Sequence, residues 1–357
     1  MSYSGTVGQT VVTVQNFIDQ GARLSGKLAE ELTVEQVQAS KQALFFVLSN
    51  LSNQGINYWA INKNVFGLSI DQYEYMLPIG GYEVLNALYR TITQPSGGYT
   101  SSDGSSCTGI TGSVTTNYMV QSVPNGNISV NYGTNNAQYI ASIGVMPYVA
   151  NFGTATWSYQ LQTSTDNATW KTLYTATNVT VTDGQWVWQD IDPGFTNQYF
   201  RIVATGGTTL SLRYIYFGAV TTEVTMGRLN RDDYTNLPNK NFSANQPYQY
   251  WFNKTIPQAT ITLWPAPSNP FVQMTIWYSR QIMDVGSLSG QLEIPQRWNQ
   301  AIQFLLAHQM SMLLPKVDLA RIQYLEGQAQ NYFIMAENEE RDKSPIYFSP
   351  NIGVYTK

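Results

Sequence analysis

Few residues in this sequence have side chains that do chemistry, and their types exclude more than they offer. His308 is the single histidine and Cys107 the single cysteine. A nucleophile–histidine relay would have to use His308, because no other imidazole exists to take the proton. It lies in Leu305-Leu-Ala-His-Gln-Met310, an apolar run at helical spacing. That context predicts a structural histidine at a helix–helix or subunit contact. One Cys and one His cannot complete a tetrahedral zinc site. Carboxylates remain, for Ca²⁺ or for paired acid/base work. The close pairs are Asp232 with Asp233, and Asp190 with Asp192. Both read as turn or strand-end acids. Asp103-Gly104-Ser105 lacks the strand–loop–helix context of a phosphate cradle. The expectation is no catalytic residue, no metal ligand, no cofactor and no enzyme.

Two further groups are candidates for contact. Tyr159, Trp186 and Trp188 have faces that stack on sugar rings, although strand aromatics more often fill a sandwich core. Glu337, Glu339 and Glu340 close a helix, where acids oppose the helix dipole. They read either as a solvated helix end or as a surface facing a DNA channel, where like charge prevents sticking.

The elements that would position these residues fall into blocks. Residues 1–94 read as mainly helical. Thr13 to about Leu24 predicts a first helix. Thr33 with Gln36 is a capping-box pattern opening a second, over which Val34, Val37, Leu44, Val47, Leu48 and Leu51 recur at helical spacing to a stop at Gly55. Residues 72–78 predict a strand closed by Pro78, and Tyr82 to Ile92 another helix. The stretch Gln94-Pro-Ser-Gly-Gly-Tyr-Thr-Ser-Ser-Asp-Gly-Ser-Ser106 has the composition of a linker. From about 110 to 220, short alternating runs and turn residues predict a β-sandwich. Residues 259–264 and 272–278 predict two strands. Pro295 predicts a helix start, with an apolar stripe at Trp298, Ile302, Leu305, Leu306 and Met310. Pro315 breaks it, and a last helix runs from about Asp318 to Asn338. The tail from Lys343 is extended, because its prolines forbid a helix. Its Ile346, Tyr347, Phe348, Ile352, Val354 and Tyr355 are too apolar for a solvated end and predict docking onto a partner.

The predicted fold class is therefore α+β and multidomain. A discontinuous helical domain with a small β part, residues 1–94 and 222–342, is interrupted by a jelly-roll-like sandwich at 95–221 and followed by a docking tail at 343–357. Composition agrees with an assembly role. Charged residues are only 12% and aromatics 13%, with 24 tyrosines and nine tryptophans. Amides, hydroxyls and Tyr/Trp cost less to desolvate at contacts than ions do. The net charge of −4 comes without any basic stripe, so tight nucleic-acid binding is not expected. No apolar run approaches the roughly 20 residues that span a bilayer, and the N-terminus lacks a signal-peptide pattern. Synthesis as a soluble cytoplasmic protein is the expectation.

Two stretches resemble known families. Residues 10–94 and 225–345 resemble the head-to-tail adaptor of short-tailed phages. The motifs are Ile261-Thr-Leu-Trp-Pro-Ala-Pro267, a strand ending Trp277-Tyr-Ser-Arg280, then Leu292-Glu-Ile-Pro-Gln-Arg-Trp298 opening a helix. The middle, about 112–218, resembles a discoidin- or galactose-binding-like jelly roll. It carries Trp157-Ser-Tyr-Gln-Leu-Gln-Thr-Ser-Thr-Asp-Asn-Ala-Thr-Trp170 and the closing strands Tyr199-Phe-Arg-Ile-Val203 and Leu210-Ser-Leu-Arg-Tyr-Ile-Tyr-Phe-Gly218. The first resemblance implies a homo-oligomeric ring, with 12 copies, in the neck of a virion. Its partners would be the portal protein and the tail nozzle or tail-fibre proteins, and DNA would pass through without specific binding. The second implies an alternative, a carbohydrate-binding adhesin or tail-fibre component. A glycan-active enzyme using Asp232 and Asp233 is a third reading.

Overall fold

The computed structural model describes residues 11–54, 58–104, 107, 120–121, 123–269 and 271–340. The chain divides into two compact units. One takes the chain up to Ile61 and again from Ser279; the other is Asn62–Tyr278.

The first unit is helical. Thr13 Oγ1 accepts from Asn16 N at 3.3 Å and opens the helix Val14–Leu24. Thr33 and Gln36 form the expected reciprocal box, with bonds of 3.0 and 3.3 Å, and open Val34–Asn53. Each such cap satisfies backbone donors that the first turn leaves unpaired. The helix ends at Asn53; Gly55, the expected stop, lies outside the described residues. Pro295 precedes a short 3-10 turn, Gln296–Trp298, that runs into Asn299–Leu313. The last helix is Leu319–Glu340. The four residues Trp298, Ile302, Leu306 and Met310, one turn apart, are all fully buried against Phe17, Ile18, Leu44, Leu48 and Leu51. Leu305 of the same stripe is only half-buried. Gly21 lets the first helix press on Met310, whose sulfur would stand 2.6 Å from a Cβ there. Truncating Trp298 to Ala would cost about 3–5 kcal/mol in such a core.

The second unit is mainly strand, its one α-helix among the described residues being the five-residue Arg231–Thr235, and this overturns the expected fold class. Strand, at 40%, outweighs helix, at 28%, so the chain is not a helical domain with a small β part. Gly81–Thr93, expected to be a helix from Tyr82 on, is a 13-residue strand. It buries side chains on both faces, Ala87 and Tyr89 on one and Arg90 and Ile92 on the other parity. A strand covered on both faces reads as a near-continuous apolar run, which periodicity alone does not separate from a buried helix. Gly98–Ser101, inside the expected linker, is also a strand and pairs with Asn127–Asn131.

A seven-stranded sheet runs in the order Ile61–Gly67, Val272–Arg280, Gly81–Thr93, Ser211–Thr225, Gln138–Pro147 and Val187–Asn197, with Val120–Gln121 beside the fourth of these. The strand Ser211–Thr225 belongs to two neighbourhoods. Its first half pairs with Gln138–Pro147 and its second half with Gly81–Thr93. A five-stranded sheet, Gly98–Ser101, Asn127–Asn131, Tyr199–Ala204, Thr154–Ser164 and Lys171–Thr182, faces the first half. Between them lies a dry core that includes Ile128, Val130, Ile143, Val145, Trp157, Leu161, Phe200, Ile202, Ile215 and Phe217. A second core joins the other half of the long sheet to Gln249–Asn253 and Thr260–Trp264, through Tyr89, Phe252, Ile261, Leu263, Met274 and Ile276. The middle of the chain is thus continuous with its flanking strands through one shared sheet.

Candidate functional site

The face of the shared sheet that turns away from the dry core is aromatic and polar. Along Val187–Asn197 alternate residues point oppositely. Ile191 enters the core, while Trp188 pairs in register with Gly144 and Asp190 with Ser142 on the other face. Trp188 lies over Gly144, whose Cβ, if present, would stand 2.5 Å from its ring. Gly67 approaches the same indole from Ile61–Gly67 more closely still. Both positions therefore need glycine for close approach rather than for its backbone freedom. Trp186 stacks on Trp188 with centroids 5.1 Å apart and meets Phe271 edge-on at 5.8 Å. Tyr216 stacks on Phe271 at 4.6 Å. These rings join the sandwich to its flanking strands.

Beside the rings lies a buried polar network. Arg90, 3% exposed, donates to Asp190 in a short contact and to Gln273 Oε1 at 2.8 Å. Gln273, fully buried, passes a bond of 2.7 Å to Ser142 Oγ. Glu223 stands 3.6 Å from Arg90, and Lys63 Nζ is 3.5 Å from Asp190. Two cations face two carboxylates, so the cluster is neutral. A buried guanidinium needs this many acceptors, because an unpaired ion in such a place costs several kcal/mol. The network opens to a cleft of ≈ 430 Å³ lined by Lys63, Asn64, Val65, Trp188, Gln189 and Asp190. Trp188 Nε1 is buried without an acceptor, a standing cost of about 1–3 kcal/mol. The cleft can offer a ligand an ammonium, two amides and one carboxylate, and its lining is mostly polar, with Val65 and Trp188 beside these groups. It holds a single carboxylate, whereas glycosidic hydrolysis uses a pair.

The other predicted residues are placed as follows. Tyr159 is 3% exposed in the dry core, among Trp157 and Leu161, and is closed to a ligand. Trp186 is half-buried in the aromatic cluster. Asp232 and Asp233 are exposed in the short helix Arg231–Thr235, which Asn230 caps at 2.7 Å from Asp233 N. The side chain of Glu340 is 4% exposed and accepts from Arg297 Nε at 2.6 Å and Trp298 Nε1 at 3.3 Å, so it pins a helix end rather than facing a channel. Its charge at the C-terminus of a helix is offset by that arginine. Glu337 is half-buried and Glu339 exposed. His308 is half-buried in Asn299–Leu313, and Cys107 is buried. The tail residues Ile346, Tyr347, Phe348, Ile352, Val354 and Tyr355 lie outside the described residues. Among the described residues no group of acids, His and Cys is placed to hold a metal, and no helix is long and apolar enough to cross a membrane. Lys63, Asn64, Arg90 and Gln273 were not singled out from the sequence, where no local signal marks them.

No family model matches the chain, and the search of curated proteins finds no match. Among solved structures, it is similar to the family 32 carbohydrate-binding module of Clostridium perfringens NanJ in complex with galactose, at 17% identity over 36% of this chain and 99% of that one, TM-score 0.28. It is similar to a chitosan-binding module from a Paenibacillus chitosanase/glucanase, at 23% identity over 36% and 99%, TM-score 0.27. It is also similar to an F5/8 type C domain of a Bacteroides fragilis protein, at 12% identity over 37% and 98%, TM-score 0.30. At these TM-scores the likeness carries no argument, and the sandwich described here rests on its own strand pairing.

Proposed function

We propose that this chain is a carbohydrate-binding structural component without catalytic activity of its own. The observation that carries this reading is the cleft at Trp188. Sugar hydroxyls both donate and accept, and here a carboxylate, an ammonium and two amides line one mostly polar cleft. The charge balance of Arg90, Lys63, Asp190 and Glu223 favours an uncharged sugar over an acidic one. The volume suits one or two rings. Titration calorimetry of the intact chain against a panel of neutral mono- and oligosaccharides is expected to give saturable binding at one site per chain. Absence of binding across the panel overturns the reading.

A second reading, the head-to-tail adaptor of a tailed phage, is favoured by a different observation. The helical unit leaves large apolar side chains in solvent, with Phe46 66%, Leu319 67% and Met335 65% exposed. Side chains of this kind can be covered by assembly with a partner. The order of motifs that resembles the adaptor family lies largely in the segments flanking the sandwich. In this reading copies of the chain close into a ring below a portal, and the sugar site faces outward on a virion. Negative-stain microscopy of the purified chain, alone and with a portal protein, is expected to show closed rings. A chain that stays monomeric at all concentrations, with and without portal, overturns it.

A further inference from the structure

The helical unit contains a groove whose chemistry fits a segment of this same chain. Val34–Asn53 and Leu319–Glu340 form its walls and Asn299–Leu313 its floor. Phe46, Leu305 and Phe333 line it together with the amide-bearing Asn50, Gln309 and Gln330, around ≈ 390 Å³. No charged side chain is among its lining residues. A groove lined by aromatic rings and amides suits an extended peptide, since amides bond to backbone groups and rings take side chains.

We propose that residues 344–355 of the chain dock into this groove of their own helical unit. Three facts converge on that occupant. From Ser344 to Thr356 the sequence has no charged residue, matching the uncharged groove. Pro345 and Pro350 disfavour a helix in the segment by sequence, and Ile346, Tyr347 and Phe348 supply apolar side chains. The reach is adequate. Glu340 is tied down by Arg297, and Phe333 lies about 10 Å back along the helix. The residues from 341 to 345, if extended, span about 16 Å. Docking within one chain is favoured over docking on a neighbour by an effective concentration on the order of mM for so short a connection. This inference is independent of the sugar site.

Hydrogen exchange on the intact chain tests it. Amides of residues 346–355 are expected to exchange at least about tenfold more slowly than in the free peptide of the same sequence, with no dependence on protein concentration. Phe46→Ser, a change at an exposed position, is expected to remove that protection while the amides of the core helices stay protected. Unprotected amides in the wild type overturn the proposal. So does protection indifferent to Phe46→Ser, which places the segment elsewhere. Protection that rises with protein concentration overturns it too, in favour of a neighbouring copy.

Discussion

On one side of the shared sheet, Ile143, Val145, Ile215 and Phe217 meet Ile128, Val130, Phe200 and Ile202 with no polar group among them. On the other side the same strands present Ser142, Gly144, Trp188 and Asp190 to Arg90, Gln273 and Lys63. The first face is held by contact area and tolerates any side chain of similar volume. The second is held by directional bonds between ions and amides, where each member depends on the others. A surface of the second kind can be opened to a ligand, because its polar groups are already positioned. A dry core cannot.

The comparison is broken most severely at Arg90. Arg90→Met leaves Asp190 and Gln273 without their shared donor, and a loss of about 3 kcal/mol is expected in chemical denaturation. Gly144→Ala should cost about 1–3 kcal/mol, because a methyl there displaces the Trp188 ring. Tryptophan emission should shift in that variant as the indole moves. Phe217→Leu on the dry face should cost less, about 1.5 kcal/mol at most, and leave sugar binding unchanged by calorimetry. If Phe217→Leu proves the costlier of these three, the two faces do not differ in the way described.

The smallest effect concerns a turn in the five-stranded sheet's longest hairpin. Asp166 Oδ1 accepts from Thr169 N at 2.8 Å, Ala168 N at 2.9 Å and Ser164 Oγ at 2.9 Å. These bonds lower its pKa from 3.8 to about 2. A carboxyl held below its unfolded value stabilises the fold in its ionised form. Its contribution is complete above the unfolded pKa and is lost as pH falls from about 4 through about 2. Asp166→Asn should therefore lower the melting temperature slightly at pH 6, and the gap to wild type should close across that window.

Much of the helical unit was legible because its signals are local. Thr33 and Gln36 are three residues apart, and Trp298, Ile302, Leu306 and Met310 repeat at one turn. The sandwich strands were legible from alternation, and that same alternation held the answer for Tyr159. Trp157, Tyr159 and Leu161 share one face, opposite Ser158, Gln160 and Gln162, so Tyr159 follows its neighbours into the core. Gly81–Thr93 is a strand whose sequence resembles a helix because both its faces are covered. The cleft was not legible at all. Lys63, Arg90 and Asp190 come together only when the strands of one sheet pair across the whole unit, and no spacing along the chain records that.

A glycan array probed with the intact chain, beside a variant carrying Lys63→Gln and Asn64→Ala, tests the central claim most directly. The account predicts binding to neutral glycans by the wild type and at least about a tenfold loss in the variant, compared at a temperature where circular dichroism shows both folded. Binding that survives both substitutions undiminished, or no glycan bound by the wild type, would contradict it.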